Sequence, residues 1–136
     1  MNKRIILTAA FLGALAGVFG AFGAHRLKSL LDVAGLEVWQ KGVEYQFYHV
    51  FALLYLSTFA RYKNKLIKFS FLFFTVGIIL FSGSLYAITI CKLMEIGIAP
   101  AIIGPITPIG GACFILGGIF LFLAALKDKY CSLHNR

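Results

Sequence analysis

Hydrophobic residues along this chain fall into four long runs, separated by short clusters of charged and polar residues. The runs cover residues 5–24, 43–60, 69–91 and 106–126, and their only acidic, basic or histidine side chains are Glu44 and His49. A helix needs roughly 20 mostly apolar residues to cross a bilayer, which is close to the length of each run. The pattern predicts an all-α membrane protein in which four transmembrane helices form one antiparallel bundle, with residues 1–136 as a single domain.

The connection between the first two runs is itself patterned. Apolar residues recur at helical spacing on either side of Gly35, namely Leu27, Leu30 and Leu31 before it and Leu36, Trp39 and Val43 after it. This period is typical of amphipathic helix, and tryptophan favours the membrane–water interface. We therefore expect a short interfacial amphipathic helix, a break at Gly35, and a second helix that starts near Leu36 and enters the membrane.

The third connection differs from the others because residues 96–106 are apolar and yet contain Gly97, Pro100, Gly104 and Pro105. Proline and glycine disfavour a regular helix, and irregular backbone is tolerated at membrane depth only where protein or a cavity surrounds it. We expect this segment to fold over the outer mouth of the bundle.

Small residues recur at helix-packing intervals in the first and fourth runs. The positions expected to allow close approach of two backbones are Gly13, Gly17, Gly20, Gly111 and Gly118. In lipid, where packing replaces the hydrophobic drive between helices, such spacing marks contact faces. It also favours a retained first span over a cleaved signal peptide. Packing within the bundle is the simpler interpretation, and a homodimer through one face is the other.

Composition and charge agree with a membrane location. Hydrophobic residues make up 60% of the chain and charged residues 13%, against about 25% charged in soluble domains. The net charge of +8 does not indicate nucleic-acid binding, because the basic residues are distributed by topology. With a cytoplasmic amino terminus, nine of the thirteen lie inside: Lys3, Arg4, Arg61, Lys63, Lys65, Lys68, Lys127, Lys129 and Arg136. This positive-inside pattern predicts two cytoplasmic termini and contacts with anionic lipids on that side.

Polar residues inside the runs concentrate at one depth. The set expected to meet in the outer half of the bundle is His25, Gln46, His49, Ser82 and Tyr86. Polar groups within a membrane are costly and deserve a functional hypothesis by default. We expect these side chains to form a small hydrogen-bonded cavity, with His25 near its mouth, and the sequence leaves open whether this cluster is structural or binds a ligand.

Four stretches carry a resemblance to a known family. They are GAFGAH at 20–25, EYQFYH at 44–49, FSGSLY at 81–86 and TPIGG at 107–111. In this order they resemble the signature blocks of domain-of-unknown-function family 423, also called uncharacterised protein family 0382. The resemblance implies a small four-span protein of the bacterial inner membrane and implies no activity.

Several functions fit these observations. In a structural or accessory protein, the polar residues would fix the register of the helices. In a binding or transport protein, they would line an outward-facing pocket for a lipid head group or a small polar solute. A haem held by His25 and His49 is a weaker alternative, because the spacing of the histidines and of Cys91, Cys113 and Cys131 matches no metal motif. A serine-based membrane enzyme is also weaker, because serines in spans more often satisfy helix contacts. We therefore predict no cofactor, no metal and no catalytic residue.

Overall fold

The structure is a computed structural model that describes residues 2–59, 64–97 and 99–134, without the side chains of residues 99–100 and 128–134. Its elements are α1 (Lys3–His25), a 3₁₀ turn (Leu27–Ser29), α2 (Val33–Phe59), α3 (Lys65–Gly77), a π-helical turn (Ile78–Ser82), α4 (Gly83–Leu93), α5 (Ala99–Ile103) and α6 (Ile106–His134). Because α3, the π turn and α4 are continuous, we call them together the central rod. Arg61, Lys63 and Arg136 lie outside the described residues, as do the side chains of Lys129 and Cys131.

The part of the chain that the structure describes is all-helical, as predicted. Three of its helices are long and apolar enough to cross a membrane: Lys3–Ser29, Lys65–Leu93 and Ala101–Lys127. They correspond to the first, third and fourth predicted runs. The second run lies in α2, which is 27 residues long but more polar, so a fourth span remains a prediction.

The helices α1 and α2 contact each other with the start of one beside the end of the other. Asn2 at the start of α1 donates its backbone N–H to the carbonyl of Ser57 at 3.3 Å. At the other end of this helix pair, Trp39 of α2 reaches Phe19 of α1. The main apolar core joins α1, α2, the central rod and α6, and it includes Leu12, Leu53 and Phe74.

The connection between α1 and α2 corrects the prediction of an amphipathic helix broken at Gly35. Only the turn Leu27–Ser29 is helical, and α2 already begins at Val33. The cause is Asp32, whose Oδ1 accepts the backbone N–H of Gly35 at 2.9 Å and so satisfies a free donor of the first turn of α2. A side chain on Gly35 would meet that same oxygen at 2.8 Å, so glycine here makes room for the cap instead of breaking the helix.

Asp32 also connects distant parts of the chain. Its carboxylate accepts hydrogen bonds from Nζ of Lys92, at the end of α4, at 2.8 and 2.9 Å. The Lys92 ammonium and the Gly35 N–H hold the pKa of the Asp32 carboxyl below its usual value of 3.8. Both side chains are more than half exposed, so water screens the pair and its contribution is modest.

The helix α6 lies so close to the central rod that glycine is required at the contact. A methyl group on Gly110 would overlap the backbone nitrogen of Phe81 and lie 2.8 Å from its Cα, and one on Gly117 would lie 2.6 Å from the Phe74 ring. Ser70 adds a hydrogen bond across the same interface, donating to the Gly117 carbonyl at 2.8 Å.

The structure therefore places close packing at partly different glycines from those expected. Gly13 and Gly20 face valines of α2, at 3.2 and 3.4 Å from a built Cβ. Gly111 has only a 3.9 Å contact, and Gly17 and Gly118 have no described atom within 4 Å. Two pairs of adjacent glycines lie in α6, Gly110 with Gly111 and Gly117 with Gly118. In each pair the first glycine faces the central rod, and the second lies about 100° further round the helix. The possibility of a homodimer through the open positions stays a prediction.

We expect Gly110→Ala to destabilise the folded protein by about 1–3 kcal/mol, because the new methyl group would be forced against backbone that cannot rotate away. Gly118→Ala is the matched control on the same helix, and it should change stability by less than about 0.5 kcal/mol. Thermal unfolding in a mild detergent measures both. Equal melting temperatures for the two variants would show that α6 does not approach the rod this closely.

We also expect Asp32→Asn to lower the melting temperature at pH 7. The pKa of Asp32 in the folded protein lies below 3.8. The stability that the ionised carboxylate contributes is therefore fully present above about pH 4, and it is lost as the pH falls through the folded pKa. The difference in melting temperature between the wild-type protein and the variant should therefore disappear as the pH falls below the folded pKa. Glu37→Gln, at an exposed carboxylate further along α2, is the control. A difference in melting temperature that persists unchanged at pH 2.5–3, roughly a unit below the usual pKa of an aspartate, would contradict the role of the charge.

Candidate functional site

Gln46 lies at the centre of the polar contacts between helices. Its side chain is 2% exposed, and both ends of its amide are bonded. Nε2 donates to the carbonyl of Leu12 in α1 at 2.7 Å, and Oε1 accepts the hydroxyl of Tyr86 in α4 at 2.8 Å. One residue of α2 therefore connects three helices.

Ser82 joins the same region from the π turn of the central rod. Its hydroxyl donates to the carbonyl of Gly42 at 2.7 Å, one turn before Gln46. The Tyr86 ring lies across Gly42, where a Cβ would be 2.7 Å from Cε1. We call Gln46, Ser82 and Tyr86, together with the carbonyls that they bind, the Gln46 network.

An aromatic cluster covers the network on the side of the α1–α2 connection. The rings of Trp39 and Phe19 lie 4.6 and 4.8 Å from that of Tyr86. Trp39 donates its Nε1–H to the Phe19 carbonyl at 2.8 Å. Gly23 makes this packing possible, because a Cβ there would be 2.6 Å from the indole. Trp39 is 2% exposed, and its expected position at the membrane interface stays a prediction.

The Gln46 network is closed. Across the described ranges 2–59, 64–97 and 99–134, no buried side-chain nitrogen or oxygen lacks a hydrogen-bond partner. Burying an unpaired polar group is costly, so complete pairing is what a structural network requires. A site for a polar ligand would instead leave donors or acceptors directed at the ligand.

His49 does not join this network. Its Nδ1 lies 2.8 Å from the Tyr45 carbonyl of its own helix, and its ring is stacked on Phe114 of α6, with centroids 3.4 Å apart and planes within 8°. Gln46 and His49 are three positions apart, which separates them by about 60° round the helix. That angle is enough to place them on different sides of the central rod.

His25 is likewise separate, since it is the exposed last residue of α1. Of the five residues expected to form one cavity, the structure brings together Gln46, Ser82 and Tyr86. It places His49 against α6 and His25 at the surface. A ligand-binding role for any of the five stays a prediction.

Two polar residues that were not among the five expected to form the cavity contact each other. Ser84 of α4 and Thr107 of α6 share a hydrogen bond of 2.6 Å between their hydroxyls. The segment expected to cover the bundle forms α5, which packs against α4 and α6. Residue 98 within that segment lies outside the described residues.

A groove opens on the surface beside His49. It has a volume of about 610 Å³ and runs between α2 and α6, with the π turn at its floor. Its lining is mainly apolar and aromatic: Tyr45, His49, Phe81, Pro108, Gly111 and Phe114 contribute, with Ala112 and Ile115 on the same wall. The groove is thus distinct from the Gln46 network, although both adjoin the π turn.

Comparison with known proteins finds one family and several relatives. The family model described as "Protein of unknown function (DUF423)" matches residues 19–111. The UPF0382 membrane proteins of Staphylococcus aureus and Haemophilus influenzae are each 36% identical, over 92% and 95% of this chain and 97% and 98% of their own lengths. The UPF0382 inner membrane protein of Escherichia coli is 30% identical over 94% of this chain and 93% of its own. No solved structure matches.

Proposed function

This chain belongs to the DUF423 family of membrane proteins, and on that premise we propose that it is a structural or accessory component of the bacterial plasma membrane. In the proposal α1, α2, the central rod and α6 all cross the membrane as one antiparallel bundle, and both termini are cytoplasmic. The α1–α2 connection, with its Asp32–Lys92 ion pair, then lies at the outer interface.

The geometry of α2 supports a fourth crossing despite its polar residues. Its 27 residues span about 40 Å at 1.5 Å per residue, which exceeds the roughly 30 Å of hydrocarbon. Gln46, its most deeply buried polar residue, is bonded on both sides within the protein. Lys41 and Glu44, near the proposed outer end, form an ion pair of 3.0 Å. Gln46, Lys41 and Glu44, which lower the hydropathy of α2, are therefore each paired within the protein.

The distribution of basic residues supports the orientation. Nine of thirteen lie on the proposed cytoplasmic side, where Lys and Arg are enriched in short loops. We propose that these residues contact anionic lipid head groups, each contributing about 1 kcal/mol near a charged surface.

Cysteines introduced at the two ends of α2 test the number of spans. In a background without the three native cysteines, Ser29→Cys should react with an impermeant maleimide from outside, whereas Lys65→Cys should react only after the membrane is opened. If α2 does not cross, both positions are on one side and react alike. Labelling of Lys65→Cys alone from outside would reverse the orientation.

The observation that carries the structural role is the Gln46 network itself. It connects α1, α2 and α4, and each amide or hydroxyl in it is directed at a protein group. Hydrogen bonds between membrane helices contribute about 0.6 kcal/mol on average and up to about 1.7. Their contribution to stability is small, but their geometry fixes the relative register of three helices.

A double-mutant cycle on Gln46→Met and Tyr86→Phe tests this role. Both changes keep side-chain volume and remove the bond between the two residues. We expect each to lower the free energy of unfolding by about 0.5–2 kcal/mol and the pair to be less than additive, because they share one interaction. Tyr48→Phe, at an exposed tyrosine of the same helix, should be neutral.

The same variants separate a structural role from a binding role. If the network were a binding site, Tyr86→Phe would release a co-purifying molecule, detected by mass spectrometry, while leaving stability unchanged. Loss of stability together with an unchanged set of co-purifying molecules is the result that the structural role requires.

A further inference from the structure

The groove between α2 and α6 is lined by His49, one of whose ring nitrogens has no hydrogen-bond partner among the described residues. Nδ1 of His49 faces the Tyr45 carbonyl at 2.8 Å, and a carbonyl only accepts, so Nδ1 carries the proton. In the neutral ring, Nε2 is then an acceptor. Within the described part of the chain, Nε2 has no partner, and it is not among the buried atoms, all of which are paired. It therefore keeps some exposed surface on a residue that lines the groove.

A hydrogen-bond acceptor without a protein partner, such as Nε2 of His49, is unusual at this position. Polar atoms of spanning helices are costly in lipid and normally pair within the bundle, as those of Gln46, Ser82 and Tyr86 do. The depth of His49 rests on α2 crossing the membrane as proposed above. At that depth the molecule that completes the hydrogen bond is most simply one that is dissolved in the membrane.

The lining restricts the chemistry of such a molecule. The described lining holds no Lys, Arg, Asp or Glu, so no charge in it would balance a phosphate or carboxylate head group. The rings of Tyr45, Phe81 and Phe114 lie within 4.7 to 6.4 Å of one another and so form a continuous aromatic wall. A flat aromatic ring packs well against such a wall. Ala112 and Ile115 extend the wall for an apolar tail. The volume of about 610 Å³ is in the usual range for small-molecule sites.

We propose that this groove binds a hydroquinone lipid, with its ring against the wall of three aromatic side chains and one hydroxyl donating to Nε2 of His49. Such a molecule is neutral, planar and membrane-soluble, and it provides the donor that Nε2 lacks. Gly111 leaves space for it, because the nearest described atom to a built Cβ there is at 3.9 Å. The proposal concerns binding and includes no electron transfer.

The experiment uses the purified full-length protein in phosphatidylcholine nanodiscs, with decylhydroquinone kept reduced as the probe. Nitrogen NMR of histidine-labelled protein should show a saturable shift of the His49 Nε2 resonance, whereas His25, outside the groove, should not respond. Decylbenzene, which has the ring without hydroxyls, and a short-chain diacylglycerol, which has the hydroxyl without the ring, should each bind at least about tenfold more weakly, the equivalent of one hydrogen bond or one stacking contact.

Two variants localise the site. His49→Phe keeps an aromatic ring on Phe114 and removes Nε2, and it should weaken hydroquinone binding at least about tenfold. Gly111→Leu should block the groove from the opposite helix. Tyr48→Phe is the control that should bind normally. If a variant fails to fold, the wild-type NMR shift still decides the question.

Several results would overturn the proposal: no saturable shift, equal affinity for decylbenzene, preference for the diacylglycerol, or unchanged affinity in folded His49→Phe. Maleimide labelling at Ser29 and Lys65 is measured separately. A failure of the four-span proposal is therefore distinguishable from a failure of hydroquinone binding.

Discussion

The arrangement of this protein depends on the requirement that a buried amide find all its partners within the protein. Gln46 meets it by donating to the Leu12 carbonyl and accepting from Tyr86. An unpaired polar group away from water is costly, so the helices that carry these groups must come together in one register. The same requirement explains two glycines. The Tyr86 ring needs Gly42 of α2, and the Trp39 ring needs Gly23 of α1, because a side chain at either position would overlap the ring.

The π turn at Ile78–Ser82 connects the network to the packing of α6. A π turn widens the helix locally and is frequent at functional positions. Here it presents Ser82 to the Gly42 carbonyl on one side and brings the backbone of Phe81 against Gly110 on the other. One local irregularity therefore determines both how α2 and α6 meet the central rod and where the groove between them has its floor.

The sequence was sufficient for much of the fold, because long apolar runs have few alternatives once the solvent is lipid. It also identified Gln46, Ser82 and Tyr86 as residues that belong together, since polar groups at one depth are cheaper when they converge. It failed for His49, because a 60° difference in helical angle matters only once the position of the central rod is known.

The sequence failed for Gly110 and Gly117 for the same reason: in a glycine pair, spacing alone does not say which member faces the partner. The cap of α2 by Asp32 was missed because Gly35 suggested a break, although an aspartate three residues before a backbone donor is a recognised capping arrangement.

The two faces of α2 illustrate how a small membrane protein divides polar residues between stability and recognition. On the Gln46 face every polar atom is paired inside the protein, and such a face gains nothing from a ligand. On the His49 face the helix backbone pairs with one ring nitrogen and the ring stacks on Phe114, while the second nitrogen has no partner among the described residues. Phenylalanine could supply the same stacking without a polar atom. In our proposal, a hydrogen-bond donor from the membrane pairs with the second nitrogen and offsets the cost of the imidazole.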